Sequence, residues 1–242
     1  MAEVALLALL TLLASGVGAL SGFGTSTIMV PVVALYFPLP VTLLFVGIIH
    51  LFGDIWKMLL FRSGVNWWLI LSFGVPGILL SFAGARLTVD VPGPLLERFL
   101  GAFLLAYVVF LFLHESWRLP RNRLSAVGGG ALSGFFAGLF GVGGAIRWMF
   151  LSAFDLPKAT YIFASGAIAL VIDIVRLSTY LLQGTRLDEA LFMGMLVFIP
   201  ASLLGSFVAK RIVTRIPQAA FRKVVAAFLG LVALRFLFLS NL

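Results

Sequence analysis

Two Asp-x-x-Lys/Arg motifs place opposite charges inside apolar stretches of the sequence, Asp54 with Lys57 and Asp173 with Arg176. At this i,i+3 spacing both side chains of a motif lie on one helix face, where they can neutralise each other. His50 lies one turn before Asp54 on the same face, and an imidazole can carry a proton near neutral pH. We therefore predict two local ion pairs, and a role in gating or proton coupling is the functional alternative for these five residues.

Two glycine-rich segments, SGFGTST at 21–27 and FGVGGA at 140–145, interrupt apolar stretches, and each is followed by a short apolar segment. Glycine lets a ligand approach the backbone closely. The N–H groups and the positive dipole end of a helix that begins there attract an anion. Close packing of small residues between membrane helices is the structural alternative. The candidate binding residues of the two segments are Gly22, Gly24, Thr25, Ser26, Gly141, Gly143 and Gly144.

Arg147 follows Gly144 by three residues, and its positive charge indicates a negatively charged ligand. A charge at membrane depth costs about 2.5–3.5 kcal/mol on insertion scales, so such a residue faces a cavity or a partner. Its guanidinium group suits an oxyanion, because it forms forked hydrogen bonds. We predict that Arg147 contacts an anion, and the alternatives are a position at the membrane interface or an ion pair with Asp54 or Asp173.

The composition decides what kind of protein must position these residues. Of the 242 residues, 62% are hydrophobic and 11% are charged, and the mean hydropathy is +1.16. Soluble domains have about 45–50% apolar and about 25% charged residues. We predict an all-α integral membrane protein that forms a single membrane domain over residues 1–242, with the lipid bilayer as a partner. The net charge of +8 lies in short loops, where the positive-inside rule and anionic lipids explain it without nucleic acid.

The same inventory argues against enzymatic chemistry. The chain has no cysteine and two histidines, and it lacks the HExxH and GxSxG patterns of metal-dependent and serine hydrolases. No GxxxxGK[ST] motif for ATP phosphates is present. We predict no catalytic residues, no metal site and no cofactor.

The two halves of the chain resemble each other. Gly22-Phe23-Gly24 recurs as Gly141-Val142-Gly143, and Asp54-Ile55-Trp56-Lys57 recurs as Asp173-Ile174-Val175-Arg176, both at an offset of 119 residues. This self-similarity predicts repeat one at 1–114, a linker at 115–124 and repeat two at 125–242. The apolar segments of the two repeats are 4–20, 27–37, 41–61, 66–86 and 95–114, then 125–140, 146–155, 158–182, 188–210 and 219–239.

The segments 27–37 and 146–155 are too short to cross a membrane alone, since about 20 residues are needed. Each half begins with an apolar stretch that is interrupted by glycines, 4–37 in the first half and 125–155 in the second. If each of these stretches crosses the membrane once, the basic residues divide 8 to 5 between the two sides of the membrane. If each forms a hairpin that returns to its starting side, they divide 10 to 3. Only the hairpin arrangement gives a clear positive-inside bias. It predicts two inverted repeats, each a glycine-broken hairpin of short helices followed by three transmembrane helices, with both termini in the periplasm.

The motifs GALSGFGTSTIMVP (18–31) and GFFAGLFGVGGAIRWMF (134–150) carry a family resemblance. With the two similar halves, they make the chain similar to the sulfite exporter TauE/SafE family over essentially its whole length. The resemblance implies export of sulfite, sulfoacetate or a related sulfonate across the bacterial inner membrane. We expect a secondary transporter that holds its small anion between the two hairpin tips. An anion channel, a transporter of another small organic anion and, least favoured, an intramembrane enzyme are the alternatives, and a homo-oligomer stays open.

Overall fold

The computed structural model describes residues 2–21, 24–61, 65–113, 119–212 and 218–238. Within these ranges the chain forms ten α-helices, one short 3-10 turn and no strand. The helices are α1 (Ala2–Ser21), α2 (Ser26–Val33), α3 (Leu39–Leu60), α4 (Trp67–Asp90), α5 (Gly93–Leu113), α6 (Arg123–Phe140), α7 (Gly143–Leu151), α8 (Lys158–Leu182), α9 (Glu189–Ile212) and α10 (Gln218–Phe238).

The predicted all-α membrane fold is confirmed. Among the described residues, five helical stretches are long and apolar enough to cross a membrane, namely Leu39–Leu60, Trp67–Asp90, Gly93–Phe110, Lys158–Leu182 and Glu189–Ala209. Large apolar side chains such as Leu182 and Leu196 lie on the outside of the molecule. A surface of this kind is stable against lipid tails, whereas in water it would drive aggregation.

Local sequence signals set several helix boundaries. Asn66 and Asn122 cap α4 and α6, because their side-chain oxygens accept the backbone N–H of Leu69 and Ser125. Pro38 and Pro157 directly precede α3 and α8, where the missing N–H of proline costs no helical hydrogen bond. The ten helices match the ten predicted segments, and no boundary differs by more than four residues.

The second glycine break is shorter than predicted. Gly141 adopts a left-handed conformation with φ +70° and ends α6, as glycine commonly does after the last helical turn. Gly143 and Gly144 already belong to the first turn of α7. Backbone N–H groups in the first turn of a helix have no partner within the helix, whatever the residue type. The break is therefore confined to residues 141 and 142, and Arg147 lies in the second turn of α7.

The helices pack in pairs that relate the two halves of the chain. Helix α4 packs on α6 and α1 packs on α9, while α3 contacts α8, α5 contacts α10 and α2 contacts α7. Each helix of the first half has a counterpart five helices later in the chain, from α1 and α6 to α5 and α10. If counterparts are exchanged, the α4–α6 pair becomes the α9–α1 pair, and the other three pairs stay the same. The repeat boundaries and the inverted orientation of the repeats in the membrane remain predictions.

Helices α3 and α8 position the charged residues, and the short helices α2 and α7 lie beside them. Each short helix packs against the helix that precedes it in the chain. A methyl group added at Gly18 of α1 would collide with the backbone of Thr25, and one added at Gly143 would collide with Ser133 of α6. Glycine thus allows the chain to turn back at each break.

Candidate functional site

Helices α3 and α8 bring together a central charge cluster, which consists of His50, Asp54, Lys57, Asp173 and Arg176. All five side chains are buried. The Nζ atom of Lys57 lies 2.7 Å from Oδ1 of Asp54, and Nε of Arg176 lies 2.7 Å from Oδ1 of Asp173. The structure thus forms both ion pairs that the i,i+3 spacing predicts, and in each pair the opposite charge offsets part of the cost of burial.

His50 joins the two ion pairs. Its Nδ1 atom lies 2.7 Å from Oδ2 of Asp173 and 3.1 Å from Oδ2 of Asp54. The other ring nitrogen, Nε2, is buried and has no hydrogen-bond partner among the described residues. It is directed at Gly24, because a Cβ atom built there would lie 2.7 Å from Nε2. The contact of His50 with Asp173 connects residues that are 123 positions apart.

A small cavity lies next to this cluster. Its volume is about 20 Å³, which is enough for a water molecule, since one needs about 10–15 Å³. An organic anion therefore requires the cavity to widen. The lining consists of Gly18, Gly24, Lys57, Arg147, Tyr161, Ile162 and Ser165.

Arg147 supplies a positive charge to this cavity that no acidic group of the described residues compensates. The residue is 3% exposed, and its Nε atom donates a hydrogen bond to Oγ of Ser165 over 3.0 Å. The predicted alternative of a pair with Asp54 or Asp173 is not formed, because Lys57, Arg176 and His50 contact those carboxylates. A buried guanidinium group without a counter-ion favours the entry of an anion.

Tyr161 adds a second unused polar group to the cavity. Its hydroxyl oxygen is buried without a hydrogen-bond partner in the described part of the chain. Leaving such a group unpaired costs about 1–3 kcal/mol. A bound oxyanion would accept a hydrogen bond from this hydroxyl and remove that cost.

The predicted binding residues separate into two groups. Gly24 and Arg147 line the cavity together with Lys57, which the sequence assigned to gating or coupling. Gly24 has φ +83°, a conformation that a residue with a Cβ atom rarely adopts. Thr25 and Ser26 are buried at the start of α2, and the carbonyl oxygen of Thr25 accepts the N–H of Met29.

The glycines of the second break are not among the residues that line this cavity. A Cβ atom built on Gly141 would lie 2.9 Å from Leu43, 3.0 Å from Val30 and 3.5 Å from Nη1 of Arg176, so Gly141 packs against apolar side chains at the edge of the charge cluster. Gly143 packs against Ser133 and Ala137 of α6, and Gly144 is buried beside it in α7. Gly22 lies outside the described residues.

Sequence reasoning missed Gly18, Tyr161, Ile162 and Ser165. A signal for two of them was present, because Tyr161 and Ser165 are polar residues at i,i+4 spacing in an apolar helix and so share one face. The 119-residue offset that relates the halves pairs them with Thr42 and Val46, and it pairs Arg147 with Ile28. Apart from Lys57, the charged and polar lining residues thus belong to the second half, and the repeat pattern conceals this difference.

The fold and the site define an all-helical membrane protein with a cluster of compensated charges at its centre and a positively charged cavity beside it. A model of the sulfite exporter TauE/SafE family matches residues 7–236 of this chain. The chain belongs to this family and is a membrane transporter of the class that moves sulfur-containing anions. No curated protein and no solved structure matches it.

Proposed function

We propose that this protein is a secondary transporter that exports sulfite, sulfoacetate or a related sulfonate across the bacterial inner membrane. Membership of the sulfite exporter family supports the class of solute. The observation that carries the proposal is the buried guanidinium group of Arg147, which faces the cavity with no acidic partner among the described residues. An anion in the cavity would compensate that charge without a rearrangement of the charge cluster.

In the proposed site, Arg147 binds the sulfonate or sulfite oxygens through its Nη groups, while Nε stays bonded to Ser165. Tyr161 and Lys57 donate further hydrogen bonds from the cavity wall. We propose that the widened site extends from the cavity to the two hairpin tips, where Ser26 follows Thr25 as the first residue of α2 and Gly143 and Gly144 begin α7. The positive dipole ends of these two helices would attract the anion. We propose that widening of the cavity accompanies binding.

Export of an anion does not require ATP hydrolysis or another coupled reaction. The inside-negative membrane potential expels an anion with about 2.3 kcal/mol per charge per 100 mV. With both termini in the periplasm, the glycine-broken hairpins enter from opposite sides of the membrane, and this arrangement allows the site to open alternately to each side.

The first test is the flux of sulfite and sulfoacetate in proteoliposomes under an imposed potential, with wild type compared with Arg147→Ala. We expect potential-driven, saturable flux that falls about tenfold or more in the variant, because a hydrogen bond to a charged group contributes about 1.5–3 kcal/mol. Arg86→Ala is the matched control, since it removes the same charge from an exposed position on α4.

Three outcomes count against parts of this proposal. Undiminished flux in Arg147→Ala contradicts the proposed site but not the transport of the anion. Flux that never saturates contradicts a carrier and favours a channel. Absence of flux for both anions in the wild type contradicts the substrate assignment.

A further inference from the structure

We propose that the anion is bound and carried together with one proton, and that His50 takes up this proton. The inference rests on the proposed function, because it requires an anion in the cavity beside the charge cluster. It assigns a proton site at Nε2 of His50 and a substrate class, namely anions with two negative charges.

The geometry decides which nitrogen of His50 is free to take up a proton. Nδ1 lies 2.7 Å from one carboxylate and 3.1 Å from another, so in the neutral imidazole it must carry the hydrogen atom that Asp173 accepts. Nε2 then presents a lone pair. It is buried, has no donor among the described residues and points at Gly24, which also lines the cavity.

Proton uptake at Nε2 gives an imidazolium ion and breaks no covalent bond. The new N–H is directed towards Gly24, which is one of the residues that line the cavity, while Nδ1–H remains between Asp54 and Asp173. The proton comes from solvent water and returns to it after the transport step. His50 thus contacts the carboxylates of the charge cluster through Nδ1 and faces Gly24 of the cavity lining through Nε2.

A proton fits the cluster better than a metal ion does. The 2.7 Å distance from Nδ1 to Asp173 is the length of a charge-assisted hydrogen bond. Both carboxylates already have cationic partners, Lys57 from the helix of His50 and Arg176 from α8. These charged groups, with Asp54 and Asp173, are the ones that face His50 from α3 and α8 within the described residues.

The charges give the reason for coupling. Asp54 and Asp173 balance Lys57 and Arg176, so with neutral His50 the cavity has only the net positive charge of Arg147. A dianion would then leave one negative charge buried and uncompensated, which is costly. Protonated His50 supplies the second positive charge. By linkage, the anion and the proton strengthen each other's binding by the same factor.

The sign of the pH dependence follows from this linkage. Where free His50 is neutral and bound His50 is protonated, affinity for a dianion falls about tenfold for each unit of rising pH. Sulfoacetate is the suitable probe. Sulfite itself binds a proton near neutral pH, so sulfite flux would move protons even if no residue of the protein took part.

The titration of His50 can be observed directly. The chain has two histidines, and His114→Gln removes the other one, which lies outside the described residues. In this variant, ¹⁵N-histidine NMR in nanodiscs reports the protonation of His50 alone. We expect saturation of the site with sulfoacetate to increase the imidazolium signal of His50 relative to the anion-free protein at the same pH.

His50→Gln is the test variant, since its amide can still donate to Asp173 but does not titrate. We expect it to fold, to bind sulfoacetate more weakly than wild type at about pH 6, and to lose the pH dependence of binding. In proteoliposomes with a trapped pH dye, wild-type sulfoacetate flux should move about one proton per anion, and flux through the variant should move none.

The two proposals fail in different ways. Binding of sulfoacetate while His50 stays neutral, or an unchanged pH dependence in His50→Gln, overturns the proton site and leaves the transporter standing. Sulfoacetate that neither binds nor crosses at any pH overturns the substrate and, with it, the coupling. Coupling that follows sodium instead of protons also overturns the proposal.

Discussion

At the scale of the residue, charge compensation separates two cations that line the same cavity. Lys57 lies 2.7 Å from an Asp54 oxygen, whereas Arg147 has a neutral serine as its polar partner. A compensated cation attracts an added anion weakly, because the nearby carboxylate repels it. In the proposed site, Arg147 therefore contributes most of the attraction for the anion. Lys57 helps to position the anion and donates a hydrogen bond to it.

The contact of Gly24 with His50 gives a prediction at this scale. Alanine at this position would place its Cβ 2.7 Å from Nε2 at a backbone φ of +83°. We expect Gly24→Ala to displace the imidazole and to lower sulfoacetate flux about tenfold or more, since a hydrogen bond to a charged group contributes about 1.5–3 kcal/mol. Flux and its pH dependence in proteoliposomes are the measurements.

Gly184→Ala is the matched control for Gly24→Ala. Gly184 has φ +92°, and no atom lies within 4 Å of its built Cβ. Both variants bear the left-handed backbone strain of about 1–2 kcal/mol, but only the first also meets His50. Equal losses of flux in the two variants would show that strain, and not the displaced imidazole, causes the effect.

At the scale of the element, glycines allow the closest helix pairs to approach each other. A methyl group on Gly134 of α6 would collide with the backbone of Gly77 on α4, and one on Gly205 of α9 would collide with the carbonyl oxygen of Leu12 on α1. Small residues serve this purpose in membranes, where helix association depends on van der Waals packing. These two crossings hold the outer helices around α3 and α8.

A pair of variants in α6 tests this packing. Gly134→Ala should lower the free energy of unfolding by about 1–3 kcal/mol, because the added methyl group forces the α4 and α6 backbones apart. Gly128→Ala should leave it unchanged or raise it by about 0.4–1 kcal/mol, since its Cβ meets nothing within 4 Å. Thermal unfolding in detergent measures both, and a Gly134→Ala protein as stable as the Gly128→Ala protein would contradict the packing argument.

At the scale of the whole molecule, the orientation of the two halves in the membrane decides whether the site can open to both sides. The positive-inside bias predicts that the loop between α4 and α5 faces the periplasm and that the start of α6 faces the cytoplasm. Because the chain has no cysteine, single introduced cysteines report topology without background.

We expect Gly93→Cys in intact cells to react with a maleimide that cannot cross the inner membrane, and Arg121→Cys to react only after the membrane is opened. Both positions are exposed, and Gly93 has no atom within 4 Å of a built Cβ. The reverse labelling pattern would invert the predicted topology. Labelling of both sites in intact cells would contradict the crossing of the membrane by α5, which lies between them.

Sequence by itself determined the membrane class, the ten helical segments, the two i,i+3 ion pairs and the family. These properties depend on hydropathy and on spacing within one helix, and such information is local. The broken helices were also visible, although their ends were not, because the cap geometry at Gly141 and the first turn of α7 depend on contacts with α6.

Only the tertiary structure decided which side chains meet. His50 contacts Asp173 across 123 positions, and Lys57 of α3 shares a cavity with Arg147 of α7 and Ser165 of α8. Contacts of this kind depend on how each helix is rotated and where it crosses its neighbour. Glycine contacts at the crossings and the buried ion pairs set those angles jointly, and no single segment of the sequence contains them.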